Sequence, residues 1–194
     1  SIKAFLSFSS MPRASAGRES VIKLIHKIWA ERRGDARPHK TARNMVAISP
    51  KFEESKKITD FFEANKITTI KILYNCAYEI EDYIVCGTRG WFFEENAQAQ
   101  SAKVFNREVM RLEASLKAAG EKHKTVFLHY PPRYKGYECK EILELLEKYE
   151  VRRCYYGHLH GGSHKLAMEG QWDNVDFRLV AADYINFQPY KVIF

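Results

Sequence analysis

Two short stretches hold the residues best suited to chemistry. One is "GHLHG", with His158 and His160 separated by a single leucine and enclosed by Gly157 and Gly161. The other is "FLHYPP", in which His129 passes directly into Pro131 and Pro132. Neutral imidazole is a common ligand for Zn, Mn and Fe. Glycines let the backbone bend sharply and approach a ligand, and the two prolines stop the chain from continuing as a strand. In an extended segment, residues i and i+2 project to the same side. In a tight glycine loop the two rings can instead address two adjacent ions. The pattern reads His129, His158 and His160 as metal ligands in preference to ordinary hydrogen-bonded histidines. His164 falls just beyond the motif, and His26, His39 and His123 stand in helical or charged contexts that give them no role.

Such ligands need rigid elements to aim them. The β-branched run "ITTIKIL" predicts a strand, and "CAYEIEDYIVCGT" predicts a hairpin turning at Glu81-Asp82. "FEESKKITDFFEAN" predicts a helix with Phe52, Lys56, Ile58 or Thr59, and Phe62 along one stripe. A long helix over "AQAQSAKVFNREVMRLEASLKAAG" stops at Gly120. Then "KTVFLH" predicts a strand, "ECKEILELLEKY" a helix, "VRRCYYG" a strand and "VDFRLVAADYINF" a last strand. This alternation predicts an α/β fold with part of its sheet parallel. "CGTRGW", "FLHYPP" and "YYGHLHGG" all fall at the C-terminal ends of predicted strands, where open α/β sheets gather ligands.

Composition bounds the rest. The chain of 194 residues, 45% hydrophobic and 28% charged, suits one globular domain. No apolar run reaches the roughly 18–20 residues of a membrane span, and "SIKAFLSFSS" is too weakly charged and too short in apolar residues for a secretory signal. Cys76, Cys86, Cys139 and Cys154 form no C-x-x-C pair, so reduced thiols in a cytoplasmic protein are expected. Residues 1–50 hold ten Lys/Arg against three Asp/Glu, whereas the remainder holds 21 of each. All of the net charge of +7 therefore lies in the first quarter. That segment has little period beyond a possible amphipathic helix in "SVIKLIHKIWAERR". It reads as an atypical basic stretch, either solvated or an electrostatic contact for nucleic acid. Residues 51–194 read as the regular domain.

"FLHYPP" followed by "YYGHLHGGSHK" resembles the last two metal-ligand blocks of the calcineurin-like metallophosphoesterases. "IEDYIVCGTRGWFF" and "LVAADYINF" are similar to a bacterial branch of that family, and the likeness runs from roughly residue 53 to the C-terminus. The resemblance implies an α/β/β/α sandwich, here incomplete or altered at its N-terminus, and hydrolysis of phosphate mono- or diesters by metal-activated water. It implies one or two divalent ions (Mn, Fe or Zn), with His129 and His158 on one and His160 on the other. Arg89 would contact a phosphate oxygen, the alternative being an exposed loop arginine.

The family's earlier blocks are missing. No Asp precedes Asp35, so Asp-x-His is absent. Gly34-Asp35 matches a Gly-Asp block by letter alone, and Arg43-Asn44-Met45-Val46 keeps only the asparagine of Gly-Asn-His-Asp. Three neutral imidazoles do not balance two divalent cations, so a tight dinuclear centre is not expected; one ion on three histidines is possible. A non-catalytic module that has lost the dinuclear centre is the alternative reading. Asp183, in "AADYINF", is the nearest C-terminal carboxylate, although outside the family's ligand set.

Overall fold

The computed structural model describes residues 2–6, 45–48, 52–68, 70–80, 82–91, 99–186 and 190–192. In chain order they form β1 (Ile2–Leu6), β2 (Met45–Ile48), α1 (Phe52–Ala64), β3 (Ile70–Leu73), β4 (Cys76–Ile80), β5 (Tyr83–Thr88), α2 (Ala99–Ala118) and β6 (His123–Leu128). There follow β7 (Arg133–Tyr134), β8 (Tyr137–Glu138), α3 (Lys140–Lys148), β9 (Arg153–Tyr156), a 3-10 helix (Gly161–Leu166), β10 (Gly170–Trp172), β11 (Val175–Leu179) and β12 (Tyr190–Val192). The chain is α/β, as the alternation of periods predicts. No helix among the described residues is long and apolar enough to cross a membrane.

A six-stranded mixed sheet runs in the order β10-β11-β9-β6-β5-β4. Its four inner strands are parallel, and β4 and β10 are antiparallel edges attached through hairpins. The inner strands are apolar on both faces because both faces are covered. Ile84, Cys86, Val126, Leu128, Cys154 and Tyr156 point into a core shared with α2 and α3, while Val85, Phe127 and Tyr155 point the other way. Helix α2 seats Phe105, Leu112 and Leu116 on the sheet, and α3 seats Ile142, Leu145 and Leu146. The i, i+3, i+4 and i, i+7 spacing gives each helix one apolar stripe. Burying each such leucine contributes about 1.5–3 kcal/mol.

A second sheet of four strands has the order β12-β1-β2-β3, with β1, β2 and β3 parallel and β12 antiparallel to β1. Leu73 of β3 and Val192 of β12 pack with Val85, Phe127, Tyr155 and Val180, which joins the two sheets through a common core. Phe127 and Tyr155 stack there with centroids 4.9 Å apart.

The structure departs from the sequence reading in three places. Strands β1 and β2 lie inside the stretch read as an aperiodic basic segment, and both pair into a sheet with β3 and β12 from beyond residue 50. The last predicted strand ends at Leu179, after which Ala182–Asn186 turns. The short β7–β8 hairpin, the edge strand β10 and the closing strand β12 had no counterpart in the sequence reading. The helix expected over "SVIKLIHKIWAERR", and Gly34, Asp35 and Asn44, lie outside the described residues.

Candidate metal and anion site

The four inner strands of the large sheet end level with one another. Thr88, Leu128, Tyr156 and Leu179 are register partners across β5, β6, β9 and β11. Backbone bonds carry the alignment past the strands: His129 N–H donates to the Arg89 carbonyl (2.9 Å), Gly157 N–H to His129 (3.2 Å) and Val180 N–H to Tyr156 (2.8 Å). Arg89, His129, His158 and Asp183 thus all leave neighbouring parallel strands at the same edge.

His129 is 1% exposed and His158 is half-buried. Their rings meet edge to face, with Nε2 of His129 3.2 Å from Nδ1 of His158. Tyr130 lies against both rings, its centroid 4.3 Å from that of His158 and 4.6 Å from that of His129. Burial, reinforced by the positive charges His158, Arg89 and His160 would carry, pushes His129 down to about 3. Burial and His160 push His158 down to about 4. Both imidazoles are therefore neutral at pH 7, the form that can donate a lone pair to a metal.

The backbone at His158 is left-handed, with φ of 71°, a conformation uncommon for a residue bearing a Cβ. Gly157 precedes it, and Leu159 N–H closes a tight turn onto the Gly157 carbonyl (2.9 Å). Buried Leu159 anchors that turn, at 3% exposure. The loop thus holds the His158 ring against His129 and Tyr130, just past the end of β6, and strain of this kind persists where the surroundings over-determine it.

His160 has a different partner. Its Nδ1 lies 2.7 Å from Oδ1 of Asp183, whose Oδ2 accepts from the Gly161 N–H at 2.8 Å. Oδ1 of Asp183 also accepts from the Tyr184 N–H at 3.1 Å. Burial opposes ionisation of Asp183, but the Gly161 amide, His160 and His164 outweigh it and lower the carboxyl to about 2. His164 Nε2 approaches Oδ2 of Asp183 to 3.1 Å without hydrogen-bond geometry.

Arg89 completes the edge. Its guanidinium lies over Trp91, 4.6 Å from the ring centroid, and 5.9 Å from the centroid of Tyr130. Its Nε is buried and has no hydrogen-bond partner among the described residues. A buried cationic donor without an acceptor beside two neutral imidazoles suits an anionic ligand.

The structure therefore brings His129 and His158 together, adds Arg89 at their side, and turns Nδ1 of His160 onto Asp183. Two nitrogens bound to one tetrahedral ion at the usual Zn–N length of roughly 2.0–2.1 Å would stand about 3.3 Å apart, close to the 3.2 Å separation found. The pair fits one ion. No group of three or more His, Cys, Asp or Glu side chains poised to hold a metal occurs among the described residues.

Sequence reasoning missed the support beneath Arg89. Thr88 is fully buried, and its hydroxyl lies 2.9 Å from Glu108 and 2.6 Å from Asn75. Glu108, 1% exposed, is also paired with Arg111 at 2.7 Å. The available signal was the position of Glu108, three after Phe105 and four before Leu112, on the apolar stripe of α2. A carboxylate on such a stripe must find partners inside the protein.

No protein-family model, no curated protein and no solved structure matches this chain.

Proposed function

We propose that the chain is a metal-dependent hydrolase of phosphate mono- or diesters, built on an α/β/β/α sandwich similar to that of the calcineurin-like metallophosphoesterases. One observation carries the reading: two neutral imidazoles at one-ion spacing and an arginine with an unpaired buried donor share the C-terminal edge of three adjacent parallel strands. The facing sheets, with α2 and α3 against the larger one, support the sandwich.

His129 and His158 are the proposed ligands of a single divalent ion (Zn, Mn or Fe), with His160 beside them. The ion, when bound, supplies Lewis-acid activation of water and neutralises charge on the phosphate. Arg89 binds a phosphoryl oxygen through its unpaired donor and holds the ester against the imidazole pair. Tyr130 and Trp91 wall the site and fix the guanidinium.

A second reading, a non-catalytic relative binding at most one ion, is favoured by the shortage of carboxylates. In sequence β1 is followed by Ser7-Phe8-Ser9 and β2 by Ser49-Pro50, so neither strand end carries the acidic block found in the family. The two readings part in one assay. Chelator-stripped protein is supplied with Zn²⁺, Mn²⁺ or Fe²⁺ and offered p-nitrophenyl phosphate and bis(p-nitrophenyl) phosphate. Metal-dependent turnover that disappears in His158→Ala supports the hydrolase. Metal binding without turnover supports the module, and absence of both ends both readings.

A further inference from the structure

A cavity of about 200 Å³ opens between α3 and the β10–β11 hairpin, and it shares no residue with the candidate metal and anion site. Arg133, Val175 and Phe177 are its buried lining, and Leu143 of α3 is half-buried beside them. Arg133 is held by ion pairs. Its guanidinium nitrogens reach Glu138 at 3.3 Å and also Asp173, which the two-residue turn of the hairpin presents. Asp173 and Asn174 both have positive φ, as such turns require. The guanidinium lies 5.3 Å from the ring centroid of Trp172 and 5.9 Å from that of Phe177. Arg133 is 6% exposed, yet its Nε has no hydrogen-bond partner among the described residues. A buried donor left without an acceptor is costly.

The exposed lining is acidic. Lys140, Leu143, Glu144 and Glu147 recur at i, i+3, i+4 and i+7 and so share one face of α3. Glu144 and Glu147 make no ion pair among the described residues. With Glu138 and Asp173 they line the cavity with four carboxylates, against the two cations Arg133 and Lys140. The cavity is thus negative in a chain whose net charge is +7. Trp172, 41% exposed, also lines it, its indole N–H donating to the Glu169 carbonyl at 3.3 Å. An indole ring and carboxylates side by side attract a cation.

The fitting ligand has an apolar stem for Leu143, Val175 and Phe177, a cationic head for the two glutamates and an acceptor for Arg133. The cavity is smaller than the roughly 300–1,000 Å³ of small-molecule sites, which suits one long side chain. A peptide bearing lysine or arginine meets all three needs, its carbonyls supplying the acceptor. We propose that this cavity docks a basic peptide segment of a partner protein, with one lysine or arginine side chain entering between Trp172 and α3 and its charge against Glu144 and Glu147. The proposal is independent of the hydrolase reading.

The test is a magnetic-resonance titration of the full chain, followed through the indole N–H of Trp172. Three probes are used: an acetylated, amidated glycine pentapeptide with a central arginine, the same peptide with a central glutamate, and agmatine, which keeps the guanidinium and stem but has no carbonyl. The arginine peptide is expected to shift the signal saturably at millimolar concentration, the glutamate peptide to leave it in place, and agmatine to bind several-fold more weakly. Glu144→Gln combined with Glu147→Gln should weaken the arginine peptide roughly three- to tenfold. Glu63→Gln combined with Glu121→Gln removes the same charge elsewhere and should leave its affinity unchanged. All four side chains are exposed, so both variants are expected to fold. No saturable shift, an equal response to the glutamate peptide, or an equal loss in the two double variants overturns the proposal. Agmatine binding as tightly as the arginine peptide also overturns it, because the cavity is then a site for a small amine.

Discussion

Nε2 of His129 stands 3.2 Å from Nδ1 of His158, the two rings projecting from the ends of adjacent parallel strands β6 and β9. Without a metal, this contact requires one nitrogen to donate and the other to accept. With a metal, both lone pairs would face one ion. The relationship depends on strand register, on the left-handed turn at His158 and on the burial that keeps His129 neutral.

Burial of His129 predicts acid sensitivity in the metal-free protein. Its ordinary value is 6.5 and its folded value about 3. Above pH 6.5 neither state binds the proton, and this site's contribution is fully present. As pH falls below 6.5 the unfolded chain takes up a proton that the folded site refuses, so stability is lost progressively down to pH 3. Between pH 7.5 and 5 the loss from His129 alone is about 2 kcal/mol. Urea unfolding of chelator-treated protein at several pH values checks it. His129→Gln should flatten the dependence, and an equal slope in both proteins would refute the assignment.

Arg89 should matter to anions more than to folding. In Arg89→Gln the affinity for inorganic phosphate as inhibitor should fall roughly 10- to 100-fold, the range for a charged hydrogen bond. The melting temperature should move little, because the stacking on Trp91 contributes only about 0.5–1 kcal/mol at a part-exposed site. Unchanged phosphate inhibition would return Arg89 to the status of a structural loop residue.

Gly87 leaves no room for a side chain. A Cβ there would fall 2.0 Å from the Phe127 carbonyl oxygen and 2.8 Å from Cδ2 of Leu73. Gly87→Ala must therefore force β5 from β6 just before Arg89, costing roughly 3 kcal/mol or more. Chemical denaturation reads the loss. A variant as stable as the parent would contradict the close pairing at this point.

The readable parts of the fold were those with local causes. Helices α2 and α3 follow their apolar stripes, and β5, β6 and β9 follow short apolar runs stopped by glycine or proline. His129 and His158 stood out for the same reason, since Pro131 and Gly157 mark the strand ends that aim them. Strands β1 and β2 did not stand out. Each is only four or five residues long, and β1 pairs with β12 from the opposite end of the chain, Ile2 with Val192. The union of His160 with Asp183, and that of Thr88 with Glu108, likewise need the sheet assembled first. A histidine paired with a distant carboxylate and one set against a second histidine look identical in sequence.

The most direct test of the central claim is zinc titration of the metal-free chain, followed through the side-chain nitrogens of His129 and His158. Both sets of signals should move together and stop at one equivalent of zinc, and His129→Ala or His158→Ala should each weaken binding by at least tenfold. Movement of neither ring, or saturable zinc binding that survives both substitutions, would contradict a metal site at this pair.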